Sequence, residues 1–226
     1  MVITKDPVNG LKAYNDGIRF ALTQKDVDSI MLIGNDIKLL SGGITKLHSF
    51  LCSENKYGMV APVLLSKDSN VIEDYGCHVS KFLIMKPRLE GKTIQEIDFS
   101  VIKNEVDAVT GGMNLSKREF YETIGLQDDK LFMYSDEVDM ALRAKENGVL
   151  MAVTHEAYAW HNHINPSGRI LRSKLAPFLS ARNKVYLSMK HFGIMRSVYV
   201  FFYFIALFLY NSFNSKFTFQ KTVYNF

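Results

Sequence analysis

Three acidic residues, Asp136, Glu137 and Asp139, lie close together at the start of a predicted helix. A carboxylate that projects into a cleft can accept the proton of an attacking hydroxyl group. The same residues also suit a structural role, because acids in the first turn complement the helix dipole and Asp139 can pair with Arg143 four residues later. Residue chemistry alone leaves both interpretations open.

Asp36 stands directly after a short apolar run, Ser29 to Ile33, which predicts a buried strand. In open α/β sheets, ligands bind beyond the carboxyl ends of the strands. A carboxylate at this position is therefore well placed to hold a metal ion or a sugar. Taken alone, the residue is explained as simply by a turn, since Asn-Asp is common turn chemistry.

Two further short motifs could bind a ligand, one through histidine side chains and one through a glycine pair. His161-Asn162-His163 offers imidazole, a common neutral metal ligand, although a loop histidine without a ligand role explains it equally simply. The motif is not a nuclease signature, which is spread over a longer ββα element. Gly111-Gly112 could let the backbone approach a phosphate, but no Gly-Lys-Ser/Thr follows, so a P-loop is excluded.

Helical and strand patterns alternate through the chain, which favours an α/β fold with a largely parallel sheet. Ser135 is expected to cap one helix, Gly148 to end it and Pro177 to break the last one. Residues 71–105 contain at most a hairpin. The predicted helices cover 10–23, 44–51, 117–124, 136–147 and 169–191, and the predicted strands cover 29–33, 59–65, 106–110, 150–153 and 157–160.

The charge of the chain is unevenly distributed. The 226 residues carry 47% hydrophobic and 22% charged residues, which is the composition of a folded protein. No Asp or Glu follows Glu156, so 18 basic and 23 acidic residues give the first 156 residues a net charge of about −5. The last 70 residues carry nine basic residues. Two cysteines and no signal peptide fit a reducing compartment.

The basic C-terminal part contains an apolar and aromatic run, Val198 to Tyr210. Thirteen residues rise only about 20 Å as a helix, short of the roughly 30 Å hydrocarbon core. The run therefore predicts an interfacial helix that associates with the cytoplasmic face of the membrane, as in a peripheral or monotopic protein. Nucleic-acid binding is disfavoured, because the basic residues lead into an apolar run.

Taken in order, these motifs resemble those of family 2 glycosyltransferases, especially the bacterial rhamnosyltransferase-like branch. The strongest match is the segment from Phe132 to Arg143, which resembles the family pattern of an acidic pair, a further Asp and an Arg. The other matching segments are Asn9–Ile18, Ile30–Ile37, Val109–Met113 with Phe120 and Ile124-Gly125, Ala157–His161, Ser167 and Arg182-Asn183.

The resemblance implies a GT-A-like fold, a mostly parallel sheet flanked by helices, in a catalytic domain over residues 1–193 with a membrane-associating tail over 194–226. It also implies inverting transfer of a sugar from a nucleotide-sugar donor to a glycan or lipid-linked glycan, in cell-surface polysaccharide synthesis. The implied site residues are Glu137 or Asp136 as the base, Asp36 and His161 at Mg²⁺ or Mn²⁺, and Gly111, Gly112, Asp139 and Arg143 at the substrates.

Three departures from the family pattern bear on activity. Gly34 stands at the first acidic position of the metal motif, and the acidic pair is Asp136-Glu137 where the family usually has Glu-Asp. The first βαβ unit, which grips the nucleotide in the family, has no counterpart here, so we expect weak donor binding and aggregation of this chain. A non-catalytic remnant that binds a membrane or a partner enzyme is the alternative.

Overall fold

A mixed β-sheet forms the centre of the molecule in the computed structural model, which describes residues 10–110, 112–162 and 166–213. The strand order is β1-β8-β3-β9-β2, with β4 beside β3 and β7 beside β9, while β5 and β6 form a separate hairpin. The strands are β1 Ser29–Ile33, β2 Ile37–Leu39, β3 Tyr57–Ser66, β4 Ile72–Asp74, β5 Cys77–Val79, β6 Met85–Pro87, β7 Glu105–Val106, β8 Met113–Lys117 and β9 Leu150–His161.

The prediction of a mostly parallel sheet is wrong. Among the described strands, β3 and β9 form the one parallel pair, and the other pairs are antiparallel. Helix and strand alternation gives parallel neighbours only when each helix crosses between adjacent strands. Here β1 pairs with the distant β8, and β2 pairs with the distant β9, so simple crossovers do not set the strand directions.

Helices cover both faces of the sheet. Strand β3 is buried along nearly its whole length, and its side chains alternate between two apolar layers. Met59 and Val63 face the layer that contains α1, α3 and α4, whereas Val60 and Leu64 face the layer that contains α2. The helices are α1 Gly10–Thr23, α2 Gly43–Ser53, α3 Arg118–Ile124, α4 Asp136–Glu146, α5 Pro166–Phe192 and α6 Ile194–Phe213.

Strand β9 replaces the two short strands that the sequence predicts at 150–153 and 157–160. It runs without interruption from Leu150 to His161, and an irregularity opposite Pro62 and Val63 absorbs the extra residues. The predicted strand over 106–110 is shorter, because regular pairing covers only Glu105–Val106. The hairpin expected within 71–105 is confirmed as β5 and β6.

Two local helix signals act differently from the prediction. Pro177 does not break α5, which continues from Pro166 to Phe192. Proline removes one backbone hydrogen bond, and the remaining bonds of a 27-residue helix keep it continuous. Ser135 stands at the N-cap of α4, but its side chain makes no capping hydrogen bond, because its backbone is left-handed with φ 66°. Gly148 ends the helix region as expected, with φ 69°.

Helix α6 follows α5 after Gly193 and packs with one face against the rest of the protein. Ser197 and Val200 are buried, and the ring of Tyr203 stacks on Phe82 in the β5–β6 hairpin, with 4.1 Å between the ring centroids. The opposite face exposes large apolar side chains, such as Met195, which is 86% exposed. Within the described residues, no helix combines the length and hydropathy needed to cross a membrane.

Candidate active site

The turn after β1 lies beside the end of β9, which brings two predicted site residues together. Ile37 pairs with His161 across β2 and β9, and the backbone N–H of Asn162 donates to the carbonyl of Asp36 over 2.7 Å. As a result, Oδ2 of Asp36 lies 3.4 Å from Nε2 of His161. The predicted metal residues therefore meet in space, although 125 positions separate them in sequence.

A third residue, Glu73 of β4, fixes the orientation of the imidazole ring. Its Oε1 lies 2.7 Å from Nδ1 of His161, on the side of the ring opposite Asp36. The hydrogen bond to Glu73 raises the pKa of His161 above its ordinary value, against the effect of burial. Metal-binding histidines commonly use one ring nitrogen for the ion and the other for a carboxylate, and Glu73 supplies that carboxylate.

Asp36 and His161 have a spacing that suits a shared divalent cation. Two neighbouring ligands of Mg²⁺ lie about 3 Å apart when each is about 2.1 Å from the ion. The described residues contain no group of three or more His, Cys, Asp or Glu side chains arranged to hold a metal ion. The pair thus fits a cation of the kind held by one or two protein ligands together with phosphate oxygens and water.

A side chain at Gly34, the first position of the turn, would crowd the carboxylate of Asp36. A Cβ at this position would lie 2.9 Å from Oδ1 of Asp36 and 3.3 Å from the carbonyl oxygen of Gly112. The Gly34 N–H donates to that carbonyl over 2.8 Å, which ties the turn to the glycine pair. Gly112 therefore lies beside the turn that carries Asp36. Gly111 lies outside the described residues.

The predicted acidic pair begins helix α4 after an unusual turn. Phe132, Tyr134 and Ser135 all have left-handed backbones, with φ of 64°, 68° and 66°. Left-handed backbone is strained for residues other than glycine, and such strain clusters at functional sites. Burial raises the pKa of Asp136 well above its usual range, and the neighbouring Glu137 raises it further. The carboxyl groups of Asp136 and Glu137 therefore influence each other at the start of α4.

Tyr14 of helix α1 is influenced by the charges of two predicted clusters. These are Asp36 with His161, called the metal pair below, and Asp136 with Glu137, called the acidic pair. Burial raises the pKa of its hydroxyl above the ordinary value. The negative charges of three carboxylates raise it further, and these belong to Asp136, Asp36 and Glu137. Tyr14 therefore lies within electrostatic range of carboxylates from both clusters. The sequence analysis missed Tyr14, whose only signal was its place on the apolar face of α1.

Asp74 extends the acidic site next to Glu73. Burial raises the pKa of Asp74 to about 6, and the charges of Glu137 and Glu73 contribute to the rise. Hydrogen bonds from the Thr110 side chain and the Gly76 backbone act in the opposite direction. Sequence reasoning missed both carboxylates of β4. Their signal was an acidic pair directly after Val71-Ile72 in a segment without clear periodicity.

Asp139 is buried in an ion cluster between helices α4 and α5. Its Oδ2 accepts from Nε of Arg143 at 2.9 Å, and its Oδ1 lies 2.7 Å from Nζ of Lys190 and 2.8 Å from Nε2 of His191. Burial favours the neutral acid, but hydrogen bonds from His191 and Lys190 and the charge of Arg143 outweigh it and lower the pKa to about 2. The Asp139–Arg143 pair is thus structural in this geometry, joining α4 to α5.

Comparison with curated proteins gives two relatives of one kind. A low-salt glycan biosynthesis hexosyltransferase of Haloferax volcanii is 22% identical over 173 residues, which cover 75% of this chain and 53% of that protein. A dTDP-rhamnosyl transferase of Shigella flexneri is 26% identical over 144 residues, which cover 63% of this chain and 45% of that protein. The chain is related to glycosyltransferases. It spans about half the length of these relatives, and no family model matches it.

A comparison of folds gives a solved structure of similar architecture. The crystal structure of GalNAc-T7 with UDP, GalNAc and Mn²⁺ matches with a TM-score of 0.57 over 82% of this chain and 35% of that protein, at 12% identity. At this identity the likeness concerns the fold alone. The prediction of an α/β fold similar to the GT-A fold is confirmed, and both curated relatives are glycosyltransferases.

Proposed function

We propose that this chain transfers a sugar from a nucleotide-sugar donor to a hydroxyl group of a glycan or lipid-linked glycan, with inversion at the anomeric carbon. The observation that carries the proposal is the meeting of Asp36 and His161, 3.4 Å apart, at the turn that the Gly34 N–H ties to the Gly112 carbonyl. A glycosyl transfer of this type needs a place for the leaving diphosphate next to a base for the acceptor. Asp36 and His161 would meet the first need, and Asp136 and Glu137 the second.

Asp36 and His161 would hold Mg²⁺ or Mn²⁺, which supplies charge neutralisation for the leaving diphosphate. Glu73 keeps Nε2 of His161 directed toward Asp36. The backbone of Gly34 and Gly112 would lie near the diphosphate, because the hydrogen bond between them holds the turn that carries Asp36. Mn²⁺ is present in the crystal structure of GalNAc-T7, which supports a divalent cation in this fold.

Glu137 serves as the general base. Its carboxylate takes the proton of the acceptor hydroxyl while that oxygen bonds to the anomeric carbon from the face opposite the diphosphate. The bond between the anomeric carbon and the diphosphate oxygen breaks, and its electron pair leaves on that oxygen. Burial raises the pKa of Asp136 well above its usual range, which favours a role as hydrogen-bond donor in the site. Asp139 and Arg143 contribute by holding α4 in place.

The two curated relatives support the class of substrate. They are named for the transfer of a hexose in glycan biosynthesis and of rhamnose from a dTDP donor. We therefore assign the chain to the rhamnosyltransferase-like branch and to cell-surface polysaccharide synthesis. Its donor is a nucleoside-diphosphate hexose or deoxyhexose.

We also propose that the C-terminal helix binds the cytoplasmic face of the membrane, as in a peripheral or monotopic protein. Its outer face exposes Met195, Tyr199 and Phe202, and nine basic residues without any acid follow Glu156. Exposed aromatic side chains near positive charge favour an interface with anionic lipids. We accordingly divide the chain after residue 193, where Gly193 separates α5 from α6.

The decisive experiment is a transfer assay with Mn²⁺ and a panel of UDP-, GDP- and dTDP-sugars. It should be run with the 226-residue chain and with a fusion that adds the unmatched part of the archaeal relative. We expect one donor to be turned over by the fusion and to bind the unfused chain more weakly. If neither form binds or turns over any donor, the alternative of a non-catalytic remnant that binds a membrane or a partner enzyme replaces this proposal.

A further inference from the structure

The turn before the acidic pair needs an outside support to keep its shape. Phe132, Tyr134 and Ser135 adopt left-handed backbones, which side chains with a Cβ avoid. Such residues persist only where the surrounding structure fixes them. The turn also determines the direction in which Asp136 and Glu137 leave the start of α4, so its support bears on the site.

The side chain of Asn183 on α5 supports this turn. The amide nitrogen of Asn183 donates to the carbonyl oxygens of Leu131, Met133 and Tyr134 at 3.1, 2.9 and 2.7 Å. Asn183 is fully buried, although it lies about 50 residues away along the chain. Buried backbone carbonyls outside regular structure need such partners, because an unpaired polar group in the interior is costly.

Arg182 fixes which way the Asn183 amide points. Its Nε and one terminal nitrogen donate to Oδ1 of Asn183 at 2.9 and 2.7 Å. The same terminal nitrogen donates to the carbonyl oxygens of Lys130 and Leu131 at 3.0 and 2.9 Å. Because Oδ1 is held by a cation, the NH₂ group of Asn183 must face the turn. The two residues therefore form one clamp over residues 130–134.

We propose that Asn183 is a positioning residue for transfer, which holds the strained turn so that Asp136 and Glu137 face the acceptor. This inference rests on the proposed function. Asn183 touches neither substrate nor cation in this assignment, and it acts only through the turn. Small displacements of a catalytic group are expensive, since a shift of about 1 Å can cost roughly a hundredfold in rate.

The test compares Asn183→Ala with a matched variant of the next residue. Lys184 is also buried on α5, but it bonds Ser180 and lies 5.2 Å from the ring centroid of Phe204 in α6, away from the turn. For Asn183→Ala we expect turnover to fall by about a hundredfold, a donor KM within about twofold of the wild type, and faster hydrogen exchange of the amides of residues 132–139. Lys184→Ala should change neither turnover nor this exchange, even where its melting temperature falls.

Asn183→Ser keeps one donor and preserves the test if the alanine variant fails to fold, with an intermediate loss of turnover expected. The proposal is overturned if the Asn183 variants lose only melting temperature and keep wild-type turnover and exchange. A wild-type chain and fusion that transfer no sugar would remove the proposed function and the catalytic part of this inference together. Exchange at 132–139 would then still show whether the clamp exists.

Discussion

Oε1 of Glu73 lies 2.7 Å from Nδ1 of His161, on the far side of the ring from Asp36. The ring is therefore held in the orientation that turns Nε2 toward a carboxylate 3.4 Å away. In a metal-binding histidine, a hydrogen bond between the other ring nitrogen and a carboxylate sets the tautomer and the basicity of the ring. Glu73 therefore belongs to the proposed cation site, although it lies in no recognisable sequence motif.

Replacing Glu73 should weaken cation binding without removing a ligand. For Glu73→Gln we expect Mn²⁺ affinity in the presence of UDP to fall by about 10- to 100-fold, because the histidine ring loses its carboxylate. Asp36→Asn and His161→Gln should reduce it further. Calorimetric titration with Mn²⁺ measures each effect. His155→Gln is the control, since His155 lies on the same strand but stacks on Phe99. Equal affinities in all four variants would argue against this cation site.

Glu137→Gln should abolish transfer and leave the fold nearly intact. The neutral amide cannot accept the acceptor proton, and loss of one first-turn acid costs only about 0.3–1 kcal/mol of dipole interaction. Asp136→Asn is expected to cause the second-largest loss. Turnover and urea unfolding measure the two effects. Glu122→Gln, at an exposed i,i+4 pair with Arg118, is the control. Near-normal turnover in both Glu137→Gln and Asp136→Asn would remove the acidic pair from the mechanism.

Asp139→Asn should destabilise the protein, because Arg143, Lys190 and His191 lose the charge of their buried common partner. Removal of one member of a buried ion pair costs about 3–5 kcal/mol. Asp16→Asn is a suitable comparison, since Asp16 pairs with Arg19 on the surface and such pairs contribute about 1 kcal/mol or less. Chemical unfolding at pH 7 gives both values. Similar losses in the two variants would contradict a structural role for the Asp139 cluster.

The Asp139 effect should also depend on acid pH in a defined direction. The folded-state pKa of Asp139 is lowered to about 2 from its ordinary value of 3.8. A lowered pKa contributes stability that is fully present above the unfolded value and is lost as the pH falls toward the folded value. The difference in unfolding free energy between wild type and Asp139→Asn should therefore shrink between about pH 4 and pH 2. A difference that stays constant over this range would contradict the ion cluster.

The outer face of α6 should bind anionic membranes. We expect the wild type to co-sediment with phosphatidylglycerol vesicles at low salt, and less so at high salt, because the attraction between basic residues and lipid is screened. Phe201→Ser with Phe202→Ser should reduce binding at least about tenfold, since two exposed aromatic rings leave the interface. Phe20→Ser, at an exposed position on α1, should not. Quantitative recovery of the wild type in the soluble fraction would contradict the membrane assignment.

The local elements of the fold were determined by the sequence. Helix α1 has the predicted bounds, Gly10 to Thr23, and strand β1 has the predicted bounds, Ser29 to Ile33. Helical periodicity and the turn residues after each run are properties of neighbouring residues, so they can be recognised without tertiary structure. The order of the family motifs likewise depends only on sequence, and it led to the class of protein that the comparisons support.

The directions of the strands and the make-up of the site were decided only by the tertiary structure. Glu73 meets His161 across 88 positions, and Asn183 meets Tyr134 across 49. Neither contact has a local signal, because strand register and helix packing depend on how distant apolar faces bury each other. For the same reason the sequence predicted a parallel sheet where long-range pairing makes a mixed one. Chemistry-bearing residues could be named from the sequence, but their supporting partners required the fold.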